Sequence, residues 1–271
     1  MATHAVEIAQ GERFQFGENW RRFLANLDDQ RIAAAEQSLR GMLEVADLKD
    51  RTFLDIGSGS GLFSLAARRL GARVHSFDYD PQSVACTREL RRRYFEDDPN
   101  WRVEEGSALD PAYLTSLGKF DVVYSWGVLH HTGSMWQALE NAILPVRDGG
   151  LLFIALYNDQ GGISRRWTAI KRHYVRHRIL RPPIVAWSFA YLFGGSFLKN
   201  LLRGRPFKAF ASPGRGMSVW HDMIDWVGGY PFEVAGPGET FEFFKQRGFT
   251  LTRLVTTHSL GCNEFVFKRV R

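Results

Sequence analysis

The residues best suited to chemistry are three glycines on alternate positions with a carboxylate on either side. An apolar run, Phe53-Leu54, carries Asp55 to the end of a strand-like segment, and the backbone then crosses Gly57, Gly59 and Gly61 into a helical pattern. Glycine takes positive φ without strain and lets a ligand approach the backbone where a Cβ would block it. A second apolar segment ends on Asp78, and a carboxylate at the tip of the next strand can hold a ribose diol. The pattern describes a nucleoside-binding βαβ unit. A dinucleotide fingerprint would need Gly-x-Gly-x-x-Gly with a helix N-terminus aimed at pyrophosphate. Its third position is Leu62 here, so the spacing rejects that reading.

The elements that must position these groups follow from periodicity. Strand patterns fall at 52–56, 73–77, 101–105, 120–125 and 151–157, the last after the turn Asp148-Gly149-Gly150. Helical patterns fill the intervals, and Pro81 starts one of them at a position that tolerates a missing N–H. Before the glycine loop lie an amphipathic stretch from Phe16 and a longer helix, after Asp28-Asp29, running through Ile32, Leu39 and Met42 to Ala46. Strands alternating with helices predict a mostly parallel sheet covered on both faces. The rhythm breaks after the fifth strand and resumes with a helix at 239–247 and strands at 249–255 and 264–267, the last antiparallel. The predicted fold is therefore α/β, Rossmann-like, with a seven-stranded, mostly parallel sheet, helices on both faces and a helical cap inserted after the fifth strand. The expected organisation is an N-terminal helical lid over 1–50, a nucleoside-binding core over 51–158, a basic and aromatic cap over 159–236, and a core-completing segment over 237–271.

The loop Asp55-Ile56-Gly57-Ser58-Gly59-Ser60-Gly61, with Asp78 about twenty residues on, resembles motif I and the acidic loop of class I S-adenosylmethionine (SAM) methyltransferases. Gly106-Ser107-Ala108-Leu109-Asp110 and the run from Asp121 through Ser125-Trp126 to Leu129-His130-His131 are similar to later motifs of the small-molecule group, which includes ubiquinone- and menaquinone-pathway enzymes and natural-product O-methyltransferases. The resemblance spans roughly Thr52 to Tyr157. It implies a sheet in the order 3-2-1-4-5-7-6 and SAM as cofactor, held by Asp55, Gly57, Ser58, Gly59, Gly61, Asp78 and Tyr79, with Ser107 and Ala108 beside the adenine and Ser125 and Trp126 at the strand end. An N-terminal residue, Trp20, Arg21 or Arg31, is expected to touch the cofactor carboxylate. Ser125 departs from the Asn-Pro-Pro-Tyr pattern of base amino-methylases, whose side chain holds a planar amino group. Methyl transfer to a hydroxyl needs contact, exclusion of water and a proton acceptor. Histidine titrates nearest neutrality, so His130 or His131, with His131 ahead, is the expected base. Tyr157, Asn158, His221, Tyr230 and Glu233 are the expected acceptor-pocket residues. His221 and Asp225 share a helix face, but nothing nearby completes a metal ligand set, so no metal is expected.

With 45% hydrophobic and 24% charged residues among 271, the chain has the composition of a folded globular protein, not a disordered one. Its two cysteines, Cys86 and Cys262, suggest neither a disulfide framework nor a zinc site, which fits a cytoplasmic setting. The N-terminus lacks the basic start and apolar run of a secretory leader. The net charge of +6 is concentrated: from Asp159 to Arg215 twelve Lys or Arg face a single acid, leaving the remainder net negative. Within that block Pro183 to Leu198 is almost wholly apolar, rich in aromatics, and flanked by cations. The expectations are a cap over a small, amphipathic acceptor and a peripheral membrane contact through 183–205. Interleaved basic and aromatic residues also raise RNA, but no recognisable RNA module accompanies them. The rival functions are an RNA or protein methyltransferase docking through the cap and a catalytically silent SAM-binding partner. The oligomeric state is not encoded in any of these features.

Overall fold

Alternating side chains divide each strand between two helical layers. In β1 (Thr52–Ile56), Phe53 joins one buried cluster while Leu54 and Ile56 join another on the opposite face. The first cluster is completed by α3 (Asp29–Leu43), α4 (Leu62–Arg69) and α5 (Pro81–Tyr94), and the second by α6 (Pro111–Ser116), α7 (Met135–Ile143) and α11 (Pro237–Lys245). The computed structural model describes residues 4–201 and 219–270.

The remaining strands are β2 (Arg73–Asp78), β3 (Trp101–Glu105), β4 (Phe120–Trp126), β5 (Val146–Tyr157), β6 (Phe249–Val255) and β7 (Cys262–Arg269). They form one seven-stranded sheet in the order β3-β2-β1-β4-β5-β7-β6, with β7 antiparallel to both neighbours. This is the Rossmann-like order that the resemblance implies. Three aspartates set the helix starts: Asp28, Asp80 and Asp110 each accept a backbone N–H of the first turn, and Pro81 and Pro111 follow the last two.

Two of the boundaries that differ from expectation have a clear physical cause. The glycine pair 149–150 does not precede β5 but lies within it: Phe120 pairs with Val146 and Val122 with Leu151, so the extra residues bulge from a continuous strand. Gly149, at φ 69°, makes that excursion feasible. The helix expected to reach Ala46 stops at Leu43 because Glu44 turns left-handed, at φ 55°.

Between β5 and α11 run α8 (Gly162–Arg176), a 3-10 turn (Arg178–Leu180), α9 (Arg181–Leu201) and α10 (Val219–Gly228). They pack around Trp167, Tyr174, Met223, Val227 and Phe232. Ahead of β1, α1 (His4–Ala9) and α2 (Gly17–Ala25) precede α3. Arg203 and Arg205, and the side chain of His221, lie outside the described residues.

Candidate active site

The carboxyl ends of parallel strands are where open α/β sheets bind ligands, and here they gather the glycine loop, Asp78 and both histidines. The loop is pinned from below, since the N–H groups of Gly57 and Ser58 both donate to the Phe77 carbonyl, at 2.9 and 3.0 Å. Gly57, Gly59 and Gly61 all have positive φ, at 77°, 55° and 81°. Closeness matters as much as conformation. A Cβ on Gly57 would lie 2.3 Å from Val128, and one on Gly59 would lie 3.0 Å from the Trp20 indole. The turn after β4 and helix α2 thus close on the loop.

Asp78 faces the loop from the tip of β2. Its Oδ2 accepts the Gly59 N–H and its Oδ1 the Asp80 N–H, each at 2.9 Å. An ionised carboxylate has about four acceptor positions, so both oxygens keep capacity for a diol. Burial raises its pKa to about 6, against the pull of those two N–H groups. Asp55 has a different environment. It receives Ser64 Oγ at 2.5 Å, Ser64 contacts Ser76 at 2.7 Å, and Trp101 Nε1 donates to Ser76 at 2.9 Å. Burial pushes Asp55 up to about 7. Its carboxyl belongs to a polar chain tying β1 to α4 and β2, and it supports the loop from beneath.

Other expected cofactor residues divide in the same way. The Ser58 hydroxyl contacts Thr87 Oγ1 at 2.9 Å, and Ser125 Oγ donates to the Ile56 carbonyl at 3.0 Å. Both side chains join protein to protein. Ser107 Oγ accepts the Leu109 N–H and the Ala108 carbonyl accepts Asn141 Nδ2, which shapes the β3 end beside Asp78. Trp126 is half-buried against the cluster that holds Phe53. Tyr79 donates its hydroxyl to Glu7 at 3.2 Å, beneath the Arg13 guanidinium.

The two histidines occupy the 3-10 turn Leu129–His131 and receive opposite tautomers from their neighbours. His130, 0% exposed, accepts the Tyr157 N–H on Nδ1 at 3.4 Å. Its proton therefore sits on Nε2, which is buried without a partner among the described residues. His131 is reversed. Its Nδ1 lies 2.6 Å from the Pro231 carbonyl, to which only an N–H can donate, so its lone pair is on Nε2. Of the pair, His131 alone presents a free basic nitrogen. Burial lowers both rings, His131 to about 3, with Lys171 and Arg13 pushing it further down against the Pro231 carbonyl.

Tyr157 closes this group, its ring 4.2 Å from His130, 5.0 Å from Phe232 and 5.4 Å from Trp226. Glu233 does not reach it with its carboxylate, which instead accepts the Met135 N–H at 2.9 Å and caps α7. Asn158 turns away, bonded to Asn263 and the Thr257 carbonyl, and lines a separate groove with Asp159, Gln160, Thr256 and His258. Tyr230 accepts the Phe14 N–H on its carbonyl, and Arg172 lies 5.9 Å from its ring centre. Among the N-terminal candidates, Trp20 reaches the glycine loop, Arg21 is exposed beside α5, and Arg31 is committed to Asp28 at the start of α3.

Two residues escaped the sequence reading. Arg13 donates to the His131 carbonyl at 2.9 Å and the Thr132 carbonyl at 3.4 Å, pairs with Glu7, and lies 5.1 Å from the Tyr79 ring centre. Lys171, 0% exposed, donates to the Trp226 carbonyl and lies 4.1 and 4.6 Å from the ring centres of Trp226 and Phe232. Apart from Glu7, their partners are carbonyls and ring faces distant in sequence, which leave no spacing signature.

Residues 54–152 match the family model described as a methyltransferase domain. The ubiquinone biosynthesis O-methyltransferase of Parvibaculum lavamentivorans is 33% identical over 114 residues, which are 42% of this chain and 43% of that protein. The ribosomal protein L11 methyltransferase of Methylococcus capsulatus is 48% identical over 52 residues, 19% of this chain and 18% of that one. The chain thus spans less than half the length of the curated relatives it matches. Among solved structures, magnesium protoporphyrin IX methyltransferase from Synechocystis PCC 6803, with bound SAH, aligns over 97% of this chain and 98% of its own, at a TM-score of 0.56 and 13% identity. Sheet order, loop and family match define a class I methyltransferase fold. Through residues 54–152 the chain is similar to methyltransferases, among them the ubiquinone biosynthesis O-methyltransferases.

Proposed function

We propose that the protein is a SAM-dependent methyltransferase that alkylates a small acceptor at a hydroxyl oxygen. What supports this reading is that the carboxyl ends of the strands carry Asp78, the three-glycine loop and a histidine whose Nε2 lone pair is free. The residues fit the cofactor: the loop admits no Cβ, Asp78 has acceptor capacity for a ribose diol, and the Ser107-Ala108 backbone flanks the β3 end. S-adenosylmethionine, when bound, supplies a methyl group on a sulfonium whose departure leaves a neutral thioether.

The chain's own part is positioning, dehydration and proton transfer. Asp78 and the loop backbone orient the nucleoside, and Trp20 and Val128 close over the loop. His131, held through its Nδ1–H by Pro231, takes the acceptor's hydroxyl proton on Nε2 as oxygen attacks. A ring whose pKa is near 3 is neutral throughout the physiological range and always ready to accept. Its low basicity requires the acceptor proton to be acidified by the developing bond to carbon. Tyr157 and Tyr230 supply an aromatic wall suited to an amphipathic acceptor, while Glu233 and Asn158 shape the surrounding backbone.

Calorimetry with SAM tests the first half. Wild type should bind, and Asp78→Ala should weaken binding about tenfold or more, the scale of a charge-assisted hydrogen bond of about 1.5 kcal/mol. Unchanged affinity in a folded Asp78→Ala variant would remove the cofactor assignment. Radiolabelled SAM incubated with cell extract tests the second half. Label in RNA or protein would favour a docking methylase, and no label anywhere would favour a silent partner.

A further inference from the structure

From Pro182 to Leu198 no residue is charged. Helix α9 nevertheless has a solvent face. Ile184, Val185, Phe189, Leu192 and Phe193 pack against the cap cluster, whereas Pro183, Ala186, Trp187, Ala190, Tyr191 and Gly195 are exposed. Ordinary surface helices carry charges on that side. Here Trp187 and Tyr191 are 44% and 48% exposed and stack on one another, with centroids 5.1 Å apart at 15°. The 3-10 turn before the helix extends the apolar strip with Ile179, 86% exposed.

Cations frame this stripe without entering it. Arg176, Arg178 and Lys199 are exposed at its ends, and Arg165, Arg166 and Arg172 line the open side of α8. None of them joins an ion pair among the described residues. No helix among the described residues is long and apolar enough to cross a membrane.

We propose that the exposed face of α9 docks flat on an anionic bilayer surface, its Trp187–Tyr191 stripe at the headgroup level and its flanking cations on the phosphates. Segregation of charge from aromatic surface is the pattern of an interfacial helix, and Trp and Tyr are the side chains that favour that depth. RNA binding wants cations interleaved with stacking rings, which this stripe lacks. A twofold contact between copies would bring the like-charged ends of the stripe together, since Asp159 is the sole acid from residue 159 to 215.

Sedimentation with vesicles tests this directly, because it requires neither cofactor nor acceptor. The full chain should sediment with phosphatidylcholine vesicles containing about 30% phosphatidylglycerol and remain free with phosphatidylcholine alone or at high salt. The Trp187→Ser/Tyr191→Ser double variant, whose altered side chains are exposed, should retain its circular dichroism and lose vesicle affinity about tenfold or more. Arg178→Gln and Lys199→Gln should each reduce it about fivefold. Failure to sediment with anionic vesicles would overturn the proposal, as would undiminished binding by the double variant. So would a wild-type dimer abolished by those two substitutions, or tRNA binding tighter than vesicle binding and dependent on the same two residues. Addition of SAM should leave vesicle binding unchanged, so this outcome is independent of the enzymatic reading.

Discussion

At the scale of single residues, the two histidines show how identical side chains acquire different capacities from backbone partners. His130 accepts from Tyr157 and His131 donates to Pro231, so only one of them offers a lone pair. His131→Ala should therefore depress kcat at least about a hundredfold with SAM affinity unchanged, a scale typical of lost general-base catalysis. His130→Ala should act through packing and lower thermal stability. Equal kcat losses in both would break the assignment. The low pKa of His131 also has a consequence for stability. Its folded value of about 3 lies below the unfolded value of about 6.5, so the unfolded chain binds the proton first as pH falls. Stability from this group is full above about pH 6.5 and is lost progressively toward pH 3. Asp78 opposes it: a folded pKa of about 6, above the unfolded carboxylate value, favours the folded chain as pH drops. Melting temperatures of wild type and His131→Phe at pH 7 and pH 5 isolate the histidine, and the variant should show the smaller acid-induced fall.

Among elements, the strands and the start of α5 were legible because they rest on local alternation and on Pro81, whereas the order of the strands came with the family resemblance. The glycine pair at 149–150 was misread because one dipeptide serves a turn and a bulge equally well, and register with β4 decides between them. The site was legible where chemistry needs a fixed spacing, as in Gly57, Gly59, Gly61 and Asp78. It was not where a side chain meets a carbonyl or a ring. Lys171 is such a case, since it joins α8 to α10 through Trp226. Replacing a buried charge by an isosteric apolar chain is often tolerated, so Lys171→Met should keep the fold. It should also remove a positive neighbour from both histidines and move the acid limb of the activity profile to higher pH. An unmoved profile would confine Lys171 to packing. The loop makes a sharper demand. Gly57→Ala adds about 1 kcal/mol of left-handed strain and drives a methyl into Val128, so SAM binding should disappear by calorimetry. A Val128→Ala background should recover thermal stability in part.

For the molecule as a whole, the family match ends at residue 152, while much of what surrounds His131 comes from outside it. Phe16 lies 5.0 Å from the His131 ring, Pro231 fixes its tautomer, and Phe14 bonds Tyr230 across the two flanking regions. The segments before and after the matched core thus meet over His131. Breaking the N-terminal closure with Arg13→Met should speed proteolysis within residues 4–25 and raise the SAM dissociation rate. Unaltered cleavage would show that Trp20 and the Gly17–Asp80 bond suffice to hold it.

Arg13 also bears on how this protein can be repaired. The ion pair Arg247–Glu140 can be exchanged by swapping two codons, since both halves are side chains. The grip of Arg13 on the β4 turn is written in side chain on one half and in the carbonyls of His131 and Thr132 on the other. Carbonyls are present whatever residues occupy those positions, so the turn tolerates drift, yet no reciprocal change there can rescue a lost arginine. Suppressors of an Arg13 defect should arise elsewhere in the N-terminal segment or not at all.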